Sequence, residues 1–295
     1  MSIAAKNSNE LVVHWLDAHL ENIEASYGAH AVTLYGPLFD GVDDFIRDAV
    51  EERSKREPAM KKLVVLLTTN GGLVEVVNRI VTTFRRHYDV VEFIIPNYAY
   101  SAGTVLAMSG DDIHMDYYSL LGPIDPQVQS QNGTFVPALG YLNRYDQLVE
   151  KAKQKTITAA EIQLLIYGFD QAELQKHSEA RELSISLLED WLVKYKFKNW
   201  TVTESRNLPV TEQMKTDRAK EIGMTLSDPG RWHSHGRGIP MEVLTKEINL
   251  KITDFGTDSK KSDSIRSYYS LITDYLSKNG SRGIVHIKES CTPFS

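Results

Sequence analysis

Two spacings of apolar residues divide this chain into strands and helices. Lys62-Leu63-Val64-Val65-Leu66-Leu67 is a short apolar run, β-branched in its middle, and predicts a buried parallel strand. Leu73, Val76, Val77, Ile80, Val81 and Phe84 then fall at helical spacing and predict an amphipathic helix over residues 73–88. Its last turn carries Arg85, Arg86 and His87, where cations complement the helix dipole. Residues 90–96 read as the next strand. Strand, helix and strand of this length predict a right-handed crossover, with Asn70-Gly71-Gly72 at the carboxyl edge of the sheet, where open α/β sheets bind ligands.

The same periods extend both ways. Upstream, Val12, Leu16, Leu20 and Ile23 predict a surface helix over residues 11–26, residues 31–35 a first strand, and residues 40–57 a helix ended by Pro58. Downstream, Val105-Leu106-Ala107-Met108 reads as the first turn of a buried helix and residues 113–115 as a short strand. Leu139, Leu142, Tyr145, Leu148, Val149 and Ala152 predict a helix ending at Lys151, Lys153 and Lys155. Thr158-Ala159-Ala160-Glu161 is a capping box that opens a helical stretch, broken at Gly168 and Asp170, to about residue 198. That stretch is expected to form a lid or an oligomerisation layer, with His177 on a solvated face near Glu173 and Arg181. Thr211 caps a helix through Ile222, and residues 241–246 give another. Residues 248–252 read as a strand, 257–264 as a linker, 265–276 as a helix and 283–287 as a strand. The expected organisation is an N-terminal helical arm (1–30), a main α/β domain (31–256) and a linker with a helix-strand extension (257–295). Such an extension has no core of its own, so it should pack on the main domain or on a neighbouring subunit.

Composition excludes several classes. The 295 residues are 42% apolar and 24% charged, an ordinary globular balance with ample length for a core. With 33 Lys and Arg against 39 Asp and Glu, the net charge is −6 and no basic stripe is visible, which argues against a nucleic-acid surface. Cys291 is the single cysteine, so no intramolecular disulfide forms; a reducing compartment fits, and neither a metal nor another cofactor is implied. No signal peptide is read, and no window reaches the roughly 20 apolar residues that span a bilayer. A cytoplasmic location without a membrane span is expected.

The chemistry is concentrated in two places. Gly71 and Gly72 lack Cβ atoms, so the backbone can turn sharply and present its N–H groups to a bound anion. Ser101, followed by the small residues Ala102 and Gly103 at a helix start, is placed to act as a nucleophile; the blander reading is a small residue chosen for close packing. The second place is residues 227–240, where His233, His235, Arg231 and Arg237 lie among glycines, a poor core segment and a good active-site loop.

Asn70-Gly71-Gly72, then Ser101-Ala102-Gly103-Thr104 with Ser101 29 positions after Gly72, then Ser119-Leu120-Leu121-Gly122-Pro123-Ile124-Asp125-Pro126-Gln127 resemble the ClpP/crotonase superfold. Within it the chain is similar to the serine dehydrogenase proteinase family, relatives of the signal peptide peptidases. Ala180-Arg181-Glu182-Leu183 and Trp232-His233-Ser234-His235-Gly236 resemble that family's later segments, so the likeness spans roughly residues 30 to 250. It implies a repeated β-β-α superhelix with an added helical layer, a homo-oligomer and a peptide or protein substrate. Some members carry a membrane anchor, which this chain is expected to lack.

The resemblance also implies roles. Ser101 would be the nucleophile, the Gly72 and Ala102 N–H groups the oxyanion hole, and Gly71 and Gly103 substrate-binding positions. Where the ClpP branch has its histidine base, this chain has Asp125, so the base must come from elsewhere. His235 falls on the family's Trp-x-x-His position and is the preferred base, with Asp125 holding its tautomer. The signal peptide peptidases use a serine–lysine dyad, which makes Lys151, Lys153 and Lys155 candidates; lysines at a helix end more often just complement its dipole. Two rivals to a serine peptidase stand: an inactive assembly or partner-binding module, and an acyl-CoA enzyme, for which no basic lining is visible. A Ser101 side chain sealed in the interior, or pointing away from the glycine turn with no proton acceptor in reach, would count against the peptidase and make the module the better account.

Overall fold

The computed structural model describes residues 7–125, 127–129, 135–203, 207–232 and 237–295. Helix α1 (Ser8–Tyr27) leads into strand β1 (His30–Tyr35), helix α2 (Val42–Arg56), β2 (Lys62–Thr68), α3 (Val74–His87) and β3 (Val90–Ile94). The short β4 (Tyr98–Ala99) precedes α4 (Ala102–Met108), β5 (Asp112–Met115) and the short β6 (Leu120–Leu121). A hairpin, β7 (Gln127–Gln129) and β8 (Phe135–Pro137), is followed by α5 (Ala138–Lys153), α6 (Ala159–Tyr167), α7 (Gln171–Trp191), α8 (Glu212–Leu226) and the single turn α9 (Pro229–Trp232). Then come β9 (Ile239–Pro240), α10 (Met241–Lys246), β10 (Thr253–Asp254), α11 (Ser259–Asn279), β11 (Gly283–Ile287) and β12 (Ser290–Phe294).

Strand alternation explains the layering. Successive side chains point to opposite faces, and in the central strands both faces are apolar. Val32, Leu34, Leu63, Val65, Leu67 and Phe93 pack into one core with α2, α3, α4, α7 and α8. Ala31, Val64, Leu66 and Ile94 enter a second core with α1 and α11. The sheet between them has seven strands in the order β10-β5-β3-β2-β1-β11-β12. β1, β2, β3 and β5 are parallel, as the crossover pattern predicts, while β11 joins β1 antiparallel with Val32 opposite Ile287. A second sheet, β4-β6-β9, stands beyond the carboxyl ends of these strands. Each β-β-α unit thus places one strand in the main sheet and the next at its rim, the arrangement that the resemblance implies.

α1 packs on α11, and together they cover one face of the sheet. Two expectations are corrected. Residues 257–264 are no linker, since α11 starts at Ser259 under an Asp258 cap whose carboxylate accepts from the Lys260 and Lys261 N–H groups. Residues 248–252 are not a strand, for Ile248 and Leu250 fill the core individually and pairing begins only at Thr253, opposite His114.

α7 is also not a lid. Leu188 and Trp191 belong to the main core, and the turn after them carries Lys196, whose ammonium is buried against Asp112 at 2.6 Å. The capping box of α6 forms as predicted, with both Thr158 and Glu161 bonds present. That helix leaves Ile162, Leu164, Ile166 and Tyr167 exposed. No helix among the described residues is long and apolar enough to cross a membrane.

Candidate active site

The glycine turn and the serine turn meet. Gly71 and Gly72 take φ values of 100° and 154°, which side-chain-bearing residues rarely adopt. Contact reinforces the requirement. A Cβ on Gly72 would lie 2.2 Å from the Leu38 carbonyl oxygen, and one on Gly71 would lie 2.7 Å from Ser101 Cβ and 3.1 Å from Ser101 Oγ. Leu38 clamps the turn, donating to the Gly71 carbonyl at 3.0 Å and accepting from the Leu73 N–H at 2.8 Å.

Ser101 sits on the turn between β4 and α4 with φ 55° and ψ −121°, a region where a non-glycine residue stores strain. A serine on a sharp, strained strand-to-helix turn directs its hydroxyl out of the helix that follows. Thr104, one turn into α4, holds the arrangement: its hydroxyl donates toward the Ala99 and Gly122 carbonyls, each at 2.9 Å, and accepts from the Gly122 N–H at 3.0 Å. Ser119 Oγ fixes the same segment upstream, donating to the Ile95 carbonyl at 2.5 Å. Thus Ser101-Ala102-Gly103-Thr104 and Gly122-Pro123-Ile124-Asp125 are locked together by the motif's own threonine.

Ser101 is fully buried, 0% exposed, and its hydroxyl donates to the main-chain carbonyl of Asp125 at 2.5 Å. A carbonyl accepts this hydrogen bond without being able to take the proton. The Gly72 and Ala102 N–H groups have no acceptor among the described residues. They are the kind of unused donors that an oxyanion hole requires.

Asp125 is buried beside Ser101, though through its backbone. Gly103 is a packing position, because the space of its missing side chain is occupied by Thr69 Cγ2, 2.3 Å from where a Cβ would stand. Lys151 is ion-paired with Glu161 at 2.5 Å and Lys153 with Glu150 at 3.5 Å, both solvent-exposed, and Lys155 is exposed as well. A lysine that serves as a base is desolvated, so these three lack the setting for it. His235 and His233 lie outside the described residues.

His177 is the largest departure from expectation. It is 2% exposed, and with Ala180, Ser184, Leu188 and Trp191 it lines the buried face of α7. That stripe is helical in spacing, so the sequence carried the signal, masked by the charged residues around it. Burial, aided by the Lys176 charge and opposed by Glu173 and Asp125, holds its imidazole below the ordinary value.

A cavity of about 330 Å³ opens beside Asn70, lined also by Tyr35, Tyr98, Thr273 and Arg282; Ser101 is not in its wall. Among the described residues no three His, Cys, Asp or Glu side chains gather as a metal ion requires.

With this geometry in place, the comparisons with known proteins decide the family. The ClpP-like SDH-type serine proteinases match over residues 33–172. The chain belongs to that family. The matched span holds the glycine turn, Ser101 and Asp125, and ends before His177. Uncharacterized protein MJ0137 of Methanocaldococcus jannaschii is 30% identical over 223 residues, 73% of this chain and 68% of the relative. Uncharacterized protein MJ1495 of the same organism is 33% identical over 133 residues, 45% of this chain and 44% of the relative. The chain has the α/β architecture that its family implies.

Proposed function

We propose that the protein is a serine peptidase in which Ser101 attacks a peptide carbonyl carbon while the Gly72 and Ala102 N–H groups receive the developing oxyanion. One observation carries the reading: a strained serine turn pressed against a left-handed glycine turn, with two backbone donors unused beside it. In the first step the Oγ–carbon bond forms and the serine proton leaves to a base. Collapse of the tetrahedral intermediate then breaks the C–N bond, and water later releases the acyl group. Each oxyanion donor of this kind is worth about 2.7–4 kcal/mol in the transition state, so the glycine turn contributes as much as a base. The substrate is a peptide or protein, and the working form is a homo-oligomer, as in the resembling families.

The seal over Ser101 favours a second reading, a non-catalytic assembly module, because a substrate carbonyl reaches the hydroxyl only when the surrounding segments part. A fluorophosphonate separates the two. Covalent labelling of the wild type that vanishes in Ser101→Ala supports the peptidase, whereas no labelling at any pH leaves the module.

A further inference from the structure

His177 offers what the lysines lack. Its ring is buried on α7 and stacked on Tyr141 of α5, with centroids 4.8 Å apart and planes within 18°. Among the described residues its Nδ1 has no hydrogen-bond partner, and neither does the buried Arg181 Nε one turn further along the same helix. Leaving a buried polar atom unpaired is costly, and a site used only for packing would fill it with an apolar residue. The position matters as much as the vacancy. α7 packs on α4, the helix that Ser101 opens, and the His177 ring lies close enough to Asp125 for their charges to interact. Asp125 is the residue whose carbonyl already holds the Ser101 hydroxyl.

We propose that His177, past the end of the matched span, is the general base for Ser101, with Asp125 as its acidic neighbour. The inference rests on the peptidase reading. The charged groups acting on the ring are Glu173 and Lys176 on its own helix and Asp125 from the loop; Tyr141 is the aromatic face that α5 presents. A neutral imidazole with its proton on Nε2 accepts at Nδ1. As the Ser101 Oγ–carbon bond forms, the hydroxyl proton passes to Nδ1. The imidazolium then returns it to the departing amine nitrogen, so the ring ends neutral. A base poised in this way contributes about 10²–10⁴-fold in rate.

The test is the pH dependence of fluorophosphonate labelling on the full chain, for wild type, His177→Gln, His177→Ala, His235→Gln and Ser101→Ala, with a thermal melt of each. The wild-type rate should rise through an inflection below pH 6.5, because burial lowers the imidazole and the neutral ring is the active form. His177→Gln should fold and label at least 100-fold more slowly without that inflection, by the lower end of the base contribution. Free imidazole should restore part of the rate to His177→Ala. If His177→Gln labels at the wild-type rate with the inflection intact, while Ser101→Ala does not label, the peptidase stands and His177 is not its base. Loss of the inflection in His235→Gln alone overturns the assignment in the same way. A wild type that never labels removes both.

Discussion

Two of the buried histidines, one on each side of the sheet, are in opposite states. On the α1 and α11 side, His286 is 0% exposed and fully partnered: Tyr268 Oη lies 2.7 Å from its Nδ1 and Asp17 Oδ1 3.1 Å from its Nε2. Thr33 Oγ1 completes the chain, 2.6 Å from Tyr268 Oη. The residue types, hydroxyl, histidine and carboxylate, are those of a catalytic triad, yet no buried side-chain polar atom of this network is left without a partner. On the other side, Ser101, Asp125 and His177 show the same types with the imidazole Nδ1 unoccupied. A satisfied buried network fixes a core, whereas an unsatisfied one keeps its capacity for a ligand or a proton. The identity of the side chains does not separate structure from chemistry here; the state of their hydrogen bonds does.

If that contrast holds, the two histidines respond oppositely to substitution. His286→Ala leaves the buried Tyr268 hydroxyl without its acceptor and removes one of the two hydrogen bonds to Asp17, the Glu289 N–H bond remaining, and should cost about 2.5–6 kcal/mol, roughly 1–3 for the unpaired hydroxyl and 1.5–3 for the bond to the carboxylate. Chemical denaturation is the measurement, and the surviving folded fraction should label at Ser101 normally. His177→Gln should do the reverse, losing rate and keeping stability. Equal melting losses in both variants would erase the distinction.

The sequence made the local parts of this picture readable and hid the distant ones. β2, α3 and the α6 capping box follow from spacing within a dozen residues, and the structure has them where the pattern put them. The meeting of Gly71 with Ser101 was readable only through a resemblance, because a sheet and two turns bring the motifs together. The α1 and α11 layer was missed, since Asp17 and His286 lie 269 positions apart and no local period links them. Residues 248–252 misled for a different reason: their alternating apolar residues satisfy a core without pairing to a strand. His177 fell between the cases. Its buried stripe was legible, but a histidine flanked by Lys176 and Glu179 reads as solvated until the neighbouring helices are in place.

A smaller effect comes from the acid end of the His286 network. Burial works against the charged form of Asp17, but the hydrogen bonds from His286 and the Glu289 N–H outweigh it and hold the carboxyl below its ordinary value. A carboxyl depressed by folding adds stability above its unfolded pKa, and that stability is lost as pH falls through the folded one. Wild type should therefore weaken below about pH 4, the ordinary aspartate range. Asp17→Asn should lose about 1.5–3 kcal/mol at pH 7, the worth of a hydrogen bond to a charged group, and show a flatter acid limb. An acid limb identical in both proteins would place the pH sensitivity elsewhere.

The smallest effect probes the far end of the chain, at Thr33. With the Asp17 carboxylate accepting from Nε2–H, a neutral His286 ring accepts at Nδ1 from the Tyr268 hydroxyl, and the Tyr268 oxygen in turn accepts from Thr33 Oγ1. Thr33→Val keeps the β-branched shape that suits β1 and removes only this last hydrogen bond. Tyr268 still donates to His286, so no buried proton is stranded, and the cost should be about 0.5–1.5 kcal/mol by denaturant unfolding. Labelling at Ser101 should be unchanged, since the Thr33 hydroxyl bonds into the α1 and α11 side of the sheet. A drop in labelling would mean that the satisfied network reaches across the sheet to the serine, and the separation of the two faces into one that holds the fold and one that holds the chemistry would fail.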